Sequence, residues 1–468
     1  MARKKKVLEA VTVTDFAAEG KCFVKHDGQI VFLNTPNIAP GDVVDVSIKR
    51  KKSNHSEGIV LRTISLSPLR REPTCSHFGT CGGCKWQHVP YEMQLEQKQK
   101  QVYDHLERIG KIDIAEKLPI LPTENEYFYR NKLEFTFSNS RWLTKAEVET
   151  GEEFDRNSLG FHVPKRFDKV IPIEKCYLQP DPSNQIRNYL DEVVKKQGYT
   201  YYDHVKHEGF MRNMMVRTST LNQVLILIQF GHEAEEDIEF VMNAMGSKFP
   251  EITSLNYVVN TKGNDTIYDL EINNYAGQTY IEEQIEELRF KITPKSFYQT
   301  NPKQAINLYN IAKDFADLKE SDVLYDLYTG TGTIALFLAK YVSKVIGVES
   351  VKEAIEDAKI NAVTNGIKNS LFFAGDMKKV LNTKFVETHG QPDVIVLDPP
   401  RAGLDKEVVE TLLTILPERI IYVSCNTATQ SRDLALLDHA YETIKVQPVD
   451  MFPQTHHVEN VAKLILRK

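Results

Sequence analysis

The sequence of 468 residues has no apolar run long enough to cross a membrane, and its opening residues MARKKK lack the apolar segment of a secretion signal. We therefore expect a soluble protein of the cytoplasm with no membrane partner. Charge of one sign is also in little excess, because the net charge of −6 excludes a chain that is basic throughout. Cysteine is rare, with six residues, and a reducing compartment disfavours disulfide bonds between them.

What the chain does contain is three stretches of different texture, which predict three domains. Residues 1–65 hold short β-type runs broken by glycines, typical of a small oligonucleotide-binding β-barrel, and the basic runs Arg3 to Lys6 and Lys49 to Lys52 suit RNA. A generic small β module is the alternative. Residues 66–290 are predicted to form an α+β domain with antiparallel strands. Residues 291–468 alternate strands and helices, which predicts an α/β fold with a parallel, Rossmann-like sheet.

Three cysteines lie close together in PTCSHFGTCGGC and indicate a metal centre. Cys75, Cys81 and Cys84 are separated by five and two residues, and glycines between them let the backbone fold around a centre. Structural zinc and a four-iron cluster fit this spacing equally well. The candidates for a fourth ligand are three further cysteines and two histidines: Cys22, Cys176, Cys425, His77 and His88.

Acidic residues end successive strands of the C-terminal region and indicate a nucleoside cofactor. Glu349 follows Gly332 of the first turn by seventeen residues and closes the second strand, where a carboxylate can hold both ribose hydroxyls. Asp376 closes the third strand, within reach of an adenine edge, and Asp398 closes the fourth. Ala335 stands where a dinucleotide fingerprint has its third glycine. The pattern therefore favours S-adenosylmethionine over a nicotinamide cofactor.

A thiol at the same sheet edge indicates covalent catalysis. Cys425 follows a β-rich run in YVSCN, so it is expected to share one crevice with Asp398, although a lone cysteine is often only a small buried hydrophobe. Its thiolate is suited to attack C6 of uracil, which makes C5 able to accept a methyl group. We expect the helix that follows to lower the pKa of Cys425. The base that removes the C5 proton is sought among His456, His457 and Glu459.

The segments FYQTN, LYTGTGT, GVES, LDPPRAGL, YVSCN and DMFPQTHHVENV resemble the RNA uracil-5-methyltransferase family across essentially the whole chain. The closest resemblance is to the bacterial 23S ribosomal RNA enzymes that carry an iron–sulfur cluster. It implies C5-methylation of a flipped uridine, in a loop or single strand of that RNA, through a covalent cysteine–C6 adduct. Cys425 would be the nucleophile and Glu459, not a histidine, the base.

The resemblance also implies ligands and domain identities. The first domain would be a TRAM domain, and a helix from about residue 91 to 118 would pack with the catalytic domain. We expect a monomer. The implied ligands of a [4Fe-4S] cluster are Cys75, Cys81, Cys84 and Cys176. The residues implied around S-adenosylmethionine are Gln299, Tyr328, Thr333, Glu349, Asp376 and Asp398. Many family members have cysteine and asparagine where this chain has Thr329 and Thr333.

Three other functions compete with this interpretation. Methylation of uridine-54 in transfer RNA would use the same chemistry on another substrate. Methylation of an amino group uses an aromatic residue after the Pro-Pro pair, where this chain has Arg401, and needs no cysteine. A non-catalytic iron–sulfur RNA-binding or assembly factor would use the barrel and cluster for recognition alone, and its role would survive Cys425→Ala.

Overall fold

The computed structural model describes residues 6–468, so most of the basic run Arg3 to Lys6 lies outside the described residues. The described chain contains a six-stranded, a seven-stranded and an eight-stranded sheet, together with a two-stranded hairpin. Within residues 6–468, no helix is both long and apolar enough to span a bilayer.

The N-terminal sheet has six strands. They are β1 Val7–Thr12, β2 Asp15–Phe16, β3 Cys22–His26, β4 Gln29–Leu33, β5 Val43–Lys51 and β6 His55–Ser65. Their spatial order is β1-β5-β6-β4-β3-β2. The two edge strands, β1 and β2, are consecutive in the chain, so one segment of the chain provides both edges of the sheet. Alternate side chains such as Val24, Val44 and Val46 fill its interior.

Helix α1, Tyr91–His105, continues through a π-turn, Leu106–Gly110, and then stops. Lys111 adopts a left-handed conformation with φ 53°, which ends the helix, and strand β7, Ile114–Lys117, follows. The prediction of a helix to residue 118 was therefore wrong at its C-terminal end. Val102 and Leu106 pack into the core of the C-terminal sheet, and β7 extends the edge of that sheet.

The middle of the chain forms a seven-stranded sheet with order β10-β9-β8-β11-β12-β13-β14. Its strands are β8 Lys132–Ser138, β9 Ser158–Val163, β10 Arg166–Pro172, β11 Met211–Thr218, β12 Val224–Phe230, β13 Ile252–Val259 and β14 Asn273–Gly277. Its helices are α2 Lys145–Thr150, α3 Ser183–Gln197 and α4 Glu235–Lys248. β12 is buried along its whole length, as its continuous apolar sequence VLILIQF requires.

A hairpin of β15, Ile281–Ile285, and β16, Leu288–Ile292, comes next. Phe290 and other side chains of both strands share a core cluster with Leu324 and Val394 of the C-terminal sheet. The structure therefore places this hairpin in the catalytic core, ahead of the domain boundary expected at residue 291.

The C-terminal region has the α/β fold with a largely parallel sheet that the sequence predicted. Its strands are β17 Val323–Leu327, β18 Lys344–Glu349, β19 Ser370–Ala374, β20 Val394–Leu397, β21 Arg419–Ser424, β22 Tyr441–Val449 and β23 Glu459–Leu466. Its helices are α5 Pro302–Ala316, α6 Thr333–Leu338, α7 Lys352–Thr364, α8 Met377–Val380, α9 Thr383–His389, α10 Lys406–Ile415 and α11 Thr427–Leu437. The order β19-β18-β17-β20-β21-β23-β22-β7 reverses direction between β17 and β20, where such sheets bind ligands.

Candidate active site and cysteine cavity

The carboxyl ends of β20 and β21 bring an acid and a thiol to one rim of the sheet. Asp398 directly follows β20, and its backbone N–H donates to the Leu327 carbonyl of β17 at 3.3 Å. Cys425 directly follows β21, which pairs in parallel with β20. Asn426 then caps α11, because its side chain accepts a hydrogen bond from the Ala428 N–H at 3.2 Å. The strand ends and the cap together fix both side chains at the switch point.

Glu459 reaches the same rim from the antiparallel strand β23. Ser424 pairs with Asn460, so the neighbouring residues Cys425 and Glu459 lie side by side at the end of their strands. Glu459 is only 5% exposed. Its pKa is raised to about 8, mainly by this burial and also by the charge of Asp398. Burial also raises the pKa of Asp398 to about 7. Both carboxyl groups therefore titrate near neutrality, as general acid–base catalysis requires.

The thiol of Cys425 is not activated in the way that the sequence suggested. Its pKa is raised to about 11, mainly by burial and also by the charges of Glu459 and Asp398. A helix terminus contributes about 0.3–1 kcal/mol, which is less than one pKa unit and is outweighed here. The expected lowering of the pKa by α11 was therefore wrong. Cys425 is a neutral thiol until a substrate or another group changes its surroundings.

Arg401 is the cation that the sequence analysis missed as a functional residue. Its charge lowers the pKa of Cys425 and of Glu459. The Arg401 carbonyl accepts hydrogen bonds from Asn426 Nδ2 at 2.9 Å and Thr429 Oγ1 at 3.2 Å, which ties its loop to α11. The signal in the sequence was an arginine directly after the Pro-Pro pair that ends β20.

The two histidines of the C-terminal loop are poor bases. His456 and His457 lie ring to ring, with centroids 4.1 Å apart. The pKa of His456 is lowered to about 3 and that of His457 to about 4. Burial is the main cause, and the charges of Arg401 and other nearby cations also contribute. Neither group matches proton removal near neutral pH, whereas the Glu459 carboxyl does.

The loop that leads into Glu459 is held by α1 through a buried ion pair. Lys98 Nζ donates to Asp450 Oδ1 at 2.6 Å, with both side chains completely buried. Lys98 also donates to the Phe452 carbonyl at 3.0 Å, and the Tyr91 hydroxyl donates to Asp450 Oδ2 at 2.8 Å. Every charge at this contact is therefore paired.

The same loop is hydrogen-bonded to the cysteine-rich segment. The Gln454 carbonyl accepts the backbone N–H groups of Lys85, at 2.8 Å, and Trp86, at 3.0 Å. Gln94 of α1 donates from Nε2 to Gln454 Oε1 at 3.0 Å and accepts the Gln454 N–H at 2.9 Å. Residues directly after Cys84 thus contact the loop that carries the candidate base.

The turn after β17 forms the other half of the crevice. Tyr328, Gly330 and Gly332 all have positive φ, and Glu349 at the end of β18 accepts the Gly330 N–H at 3.2 Å. A Cβ added to Gly330 would meet no atom within 4 Å, so the turn faces open space. Thr333 is the first residue of α6 and directly follows this turn.

The remaining predicted cofactor residues lie at different depths. Asp376 is exposed two residues beyond β19 and caps α8, because it accepts the Lys378 N–H at 3.1 Å. Gln299 comes from the segment before α5, and its carbonyl accepts from Asn131 Nδ2 of the central region at 3.1 Å. Asp326 of β17 is fully buried with a pKa raised to about 7, and its Oδ1 has no partner among the described residues.

Four cysteines line one cavity in the central region. Cys75, Cys81, Cys84 and Cys176 border a space of about 380 Å³ whose apolar walls include Leu133. Of the other candidate ligands, His77 also borders it. Cys22 lies in the N-terminal sheet, where its thiol donates to the Ile38 carbonyl at 3.1 Å, and His88 contacts the same carbonyl. Cys425 belongs to the crevice.

The four thiols have no arrangement that would suit a single metal ion. Among the residues that the structure describes, no group of three or more cysteine, histidine, aspartate or glutamate side chains is placed to hold one. The pKa of Cys81 and of Cys84 is raised to about 12, mainly by burial and also by the neighbouring cysteines. The predicted metal centre is therefore not confirmed, and zinc, whose ligands lie about 2.3 Å from the ion, does not fit.

Comparisons with known proteins agree with the fold. A sequence model of the tRNA (uracil-5-)-methyltransferase family matches residues 218–468, which include the crevice but not the cysteine cavity. A Bacteroides thetaiotaomicron protein named as an uncharacterized RNA methyltransferase is 51% identical, over 96% of this chain and 100% of its own. A Porphyromonas gingivalis protein of the same name is 50% identical, over 97% and 99%.

A solved structure extends the similarity to the whole architecture. The crystal structure of Pyrococcus abyssi tRNA (uracil-54, C5)-methyltransferase with S-adenosyl-L-homocysteine superposes with a TM-score of 0.73 and 27% identity. It covers 97% of this chain and 100% of that one. The N-terminal and central regions therefore do not by themselves distinguish a ribosomal RNA enzyme from a transfer RNA enzyme.

The switch-point sheet, its acidic rim and these similarities define an S-adenosylmethionine-dependent methyltransferase. The chain belongs to the tRNA (uracil-5-)-methyltransferase family and is an RNA (uracil-5-)-methyltransferase. The predicted family and enzyme class are thus confirmed.

Proposed function

We propose that this enzyme methylates C5 of one uridine in 23S ribosomal RNA through a covalent bond between Cys425 and C6 of the base. The observation that carries the chemistry is the meeting of the Cys425 thiol, the Glu459 carboxyl and Arg401 at one rim. The resemblance of the cysteine motif to ribosomal RNA enzymes supports the substrate. Methylation of an amino group would leave the thiol beside Glu459 without a role.

The first step makes C5 nucleophilic. As the uracil enters, the Cys425 thiol gives up its proton to solvent through the open side of the crevice, and Arg401 stabilises the thiolate. The sulfur bonds to C6, and the electron pair of the C5–C6 double bond moves onto C5, as in an enolate. The target base must leave its stack to reach this position.

The second step restores the ring. Bound S-adenosylmethionine would supply an electrophilic methyl group to the activated C5 and would leave as S-adenosylhomocysteine, whose sulfur keeps the electron pair of the broken S–CH3 bond. The Glu459 carboxylate then takes the remaining proton from C5. The double bond re-forms, and sulfur leaves C6 as the thiolate of Cys425. The pKa of about 8 lets Glu459 accept this proton and release it again near neutral pH.

The residues on the other side of the crevice would bind the cofactor. We infer that Glu349 holds the ribose hydroxyls and Asp376 the adenine edge, since both stand at strand ends beside the open turn at Gly330. The residues that complete the site are Gln299, Tyr328, Thr333 and Asp398. Asp398 is buried next to Cys425, so it is suited to the charged sulfur that carries the methyl group.

We also propose that Cys75, Cys81, Cys84 and Cys176 bind a [4Fe-4S] cluster. Four thiols facing one largely apolar cavity, yet too dispersed for one ion, match a ligand of several metal ions. A bound cluster would supply positive charge that keeps the thiols ionised and would cross-link residues 75–84 to Cys176. Anaerobic purification should give about four irons per chain, and Cys81→Ala should lose them while Cys22→Ala retains them. Iron-free wild-type protein would contradict this assignment.

The N-terminal sheet is proposed to act as an RNA-binding TRAM domain. Its strand β5 ends in the basic run Lys49 to Lys52, whose exposed charges suit phosphate groups. The central sheet would then connect this domain with the catalytic region.

A uridine of transfer RNA is the second candidate substrate, favoured by the whole-chain similarity to the Pyrococcus abyssi enzyme. The test incubates the protein with labelled S-adenosylmethionine and unmodified 23S ribosomal or transfer RNA, followed by nucleotide mapping. Label in 5-methyluridine of 23S RNA supports the proposal. Label in transfer RNA alone establishes the second candidate, and label on an exocyclic nitrogen overturns the C5 mechanism.

A further inference from the structure

The central sheet carries a second cavity, on the face opposite the cysteine cavity. Phe161 of β9 borders the cysteine cavity, whereas its neighbour His162 borders this one, as alternation along a strand requires. The second cavity holds about 340 Å³. The side chains that matter for its chemistry are His162, Phe167, Tyr202, His204, Arg212 and Asp265.

The floor of this cavity is fixed by a saturated guanidinium group. Arg212 is 1% exposed, lies over the Tyr202 ring at 4.4 Å, and directs all five N–H groups to the loop 260–265. Nη1 donates to the carbonyls of residues 260 and 262, Nη2 to the carbonyl of residue 264, and Nη2 and Nε to Asp265 Oδ1. No donor of Arg212 remains for an anionic ligand.

The groups left for a ligand are uncharged or negative. The Asp265 side chain is 49% exposed, and Oδ1 alone meets Arg212. His162 Nδ1 is buried without a hydrogen-bond partner in the described chain. Burial lowers the pKa of His162 and of His204, so both rings are neutral at physiological pH. A phosphate group would therefore meet the Asp265 carboxylate, and Arg212 would offer it no donor.

Aromatic surface surrounds these polar groups. The rings of His162 and His204 lie 5.1 Å apart, and Tyr202 and His204 lie 5.2 Å apart. Phe167 of β10 borders the cavity and is 71% exposed, so its ring is open to a ligand. A flat ring that stacks on Phe167 can also donate an amino N–H to Asp265 and hydrogen-bond to His162.

We propose that this cavity binds an unpaired RNA base with an exocyclic amino group, adenine, cytosine or guanine, outside the target uridine. The inference rests on the proposed function in that the ligand is the RNA substrate. Arg217, at the far end of β11, donates to the Ser296 carbonyl next to the catalytic region at 2.6 Å. Five residues of strand separate it from Arg212, about 17 Å, so the cavity reads a base distant from the one that is methylated.

The test measures binding of fluorescein-labelled 12-nucleotide oligoadenylate, oligocytidylate and oligouridylate to the full-length protein by anisotropy. The wild type should prefer the first two. Phe167→Ala should weaken their binding by about 5- to 150-fold, to the level of oligouridylate. Asp265→Asn keeps an oxygen for Arg212 but should lessen the preference for amino-bearing bases. Phe240→Ala, which removes an exposed phenylalanine of α4, is the matched control and should change nothing.

Three outcomes would overturn the inference. Equal binding of all three RNAs by the wild type is one, and unchanged binding by Phe167→Ala is another. Competition by tripolyphosphate that depends on Asp265 and Phe167 would identify an anion site instead. Methyl transfer by the wild type is measured in parallel on 23S and transfer RNA. A failure of the proposed catalysis would appear there, whereas a failure of this inference would appear in the anisotropy alone.

Discussion

The catalytic crevice and the cysteine cavity both bury thiols, but they surround them differently. Cys425 has one nearby cation, Arg401, whose charge lowers its pKa, and two carboxyl groups, Glu459 and Asp398, whose charges raise it. In the cavity, Cys81 and Cys84 have chiefly other cysteines as ionisable neighbours, and burial raises the pKa of each to about 12. The crevice contains the groups needed to move a proton during a reaction, whereas Arg130, Lys132 and Lys175 border the cavity without bringing the pKa of Cys81 or Cys84 near neutrality.

This difference separates a reactive thiol from binding thiols. A nucleophile must alternate between two protonation states, so acids and bases with pKa values near 7 and 8 belong beside it. Ligands of a cluster remain deprotonated for as long as the metal is bound. Four measurements test this difference. The two regions contact each other through Gln454.

Removal of the nucleophile should have the largest effect. Cys425→Ala should reduce methyl transfer by at least about 10⁴-fold, because C5 cannot be activated without the bond to C6. Cofactor binding, measured by calorimetry, should be retained. Cys22→Ala, which removes a buried thiol outside both regions, is the control. Activity of Cys425→Ala within tenfold of the wild type would make the crevice thiol no different from a structural one.

Removal of the base should have the next largest effect. Glu459→Gln should lower the rate by about 10²- to 10⁴-fold and leave the RNA joined to Cys425, since the C5 proton stays in place. Gel electrophoresis under denaturing conditions detects this adduct. Glu283→Gln replaces another completely buried glutamate with a raised pKa, in β15, and should show neither effect. A normal rate for Glu459→Gln would exclude it as the base.

The contact that anchors the loop before Glu459 should matter for stability. Lys98→Ala should lower the free energy of unfolding by about 3–5 kcal/mol, because Asp450 is left buried without its partner. Lys100→Ala breaks an exposed pair with Asp15 and should cost about 0–1 kcal/mol. Urea titration of both variants provides the comparison. A loss below 1 kcal/mol for Lys98→Ala would show that the loop does not depend on α1.

The smallest effect should be the pH dependence of stability, with a separate range for each region. Folding raises the pKa of Asp398 and Glu459 to about 7 and about 8, so the folded state holds protons that the unfolded state has released. Their stabilisation is complete below about pH 4 and is lost as the pH rises to about 8. In metal-free protein, Cys81 and Cys84 should cause a second loss between about pH 9 and 12.

Urea titrations across the pH range check this prediction. Asp398→Asn and Glu459→Gln should flatten the lower range alone, and Cys81→Ala should diminish the upper one. A curve that these substitutions do not alter would mean that burial does not control ionisation in either region.

Much of the site could be predicted from the sequence because strand ends are visible there. The apolar run before Asp398 stops at Pro399 and Pro400, and the run before Cys425 stops at a helix cap, so both residues fall at one rim. The pKa of Cys425 could not be predicted in this way. It depends first on burial in the folded chain and then on Glu459, which only the pairing of β21 with β23 brings alongside.

Long-range contacts account for the other differences. Lys98 and Asp450 are 352 residues apart in the chain. From the sequence alone, the lysine is expected on an exposed helix face and the aspartate in a loop. The prediction treated β7 as a continuation of α1. The segment is a strand because it pairs with β22 at the edge of the sheet. The cysteine spacing indicated a metal centre but not its kind, and it left several candidates for the fourth ligand. The choice of Cys176 among them came from the family resemblance.

The most direct test of covalent catalysis by Cys425 uses RNA that contains 5-fluorouridine at the mapped site, with S-adenosylmethionine present. Fluorine cannot be removed from C5 as the proton is, so the enzyme should remain bonded to the RNA. We predict a denaturation-resistant adduct whose peptide, identified by mass spectrometry, carries the nucleotide on Cys425. The absence of an adduct from enzyme that methylates ordinary RNA, or attachment at another residue, would contradict the account.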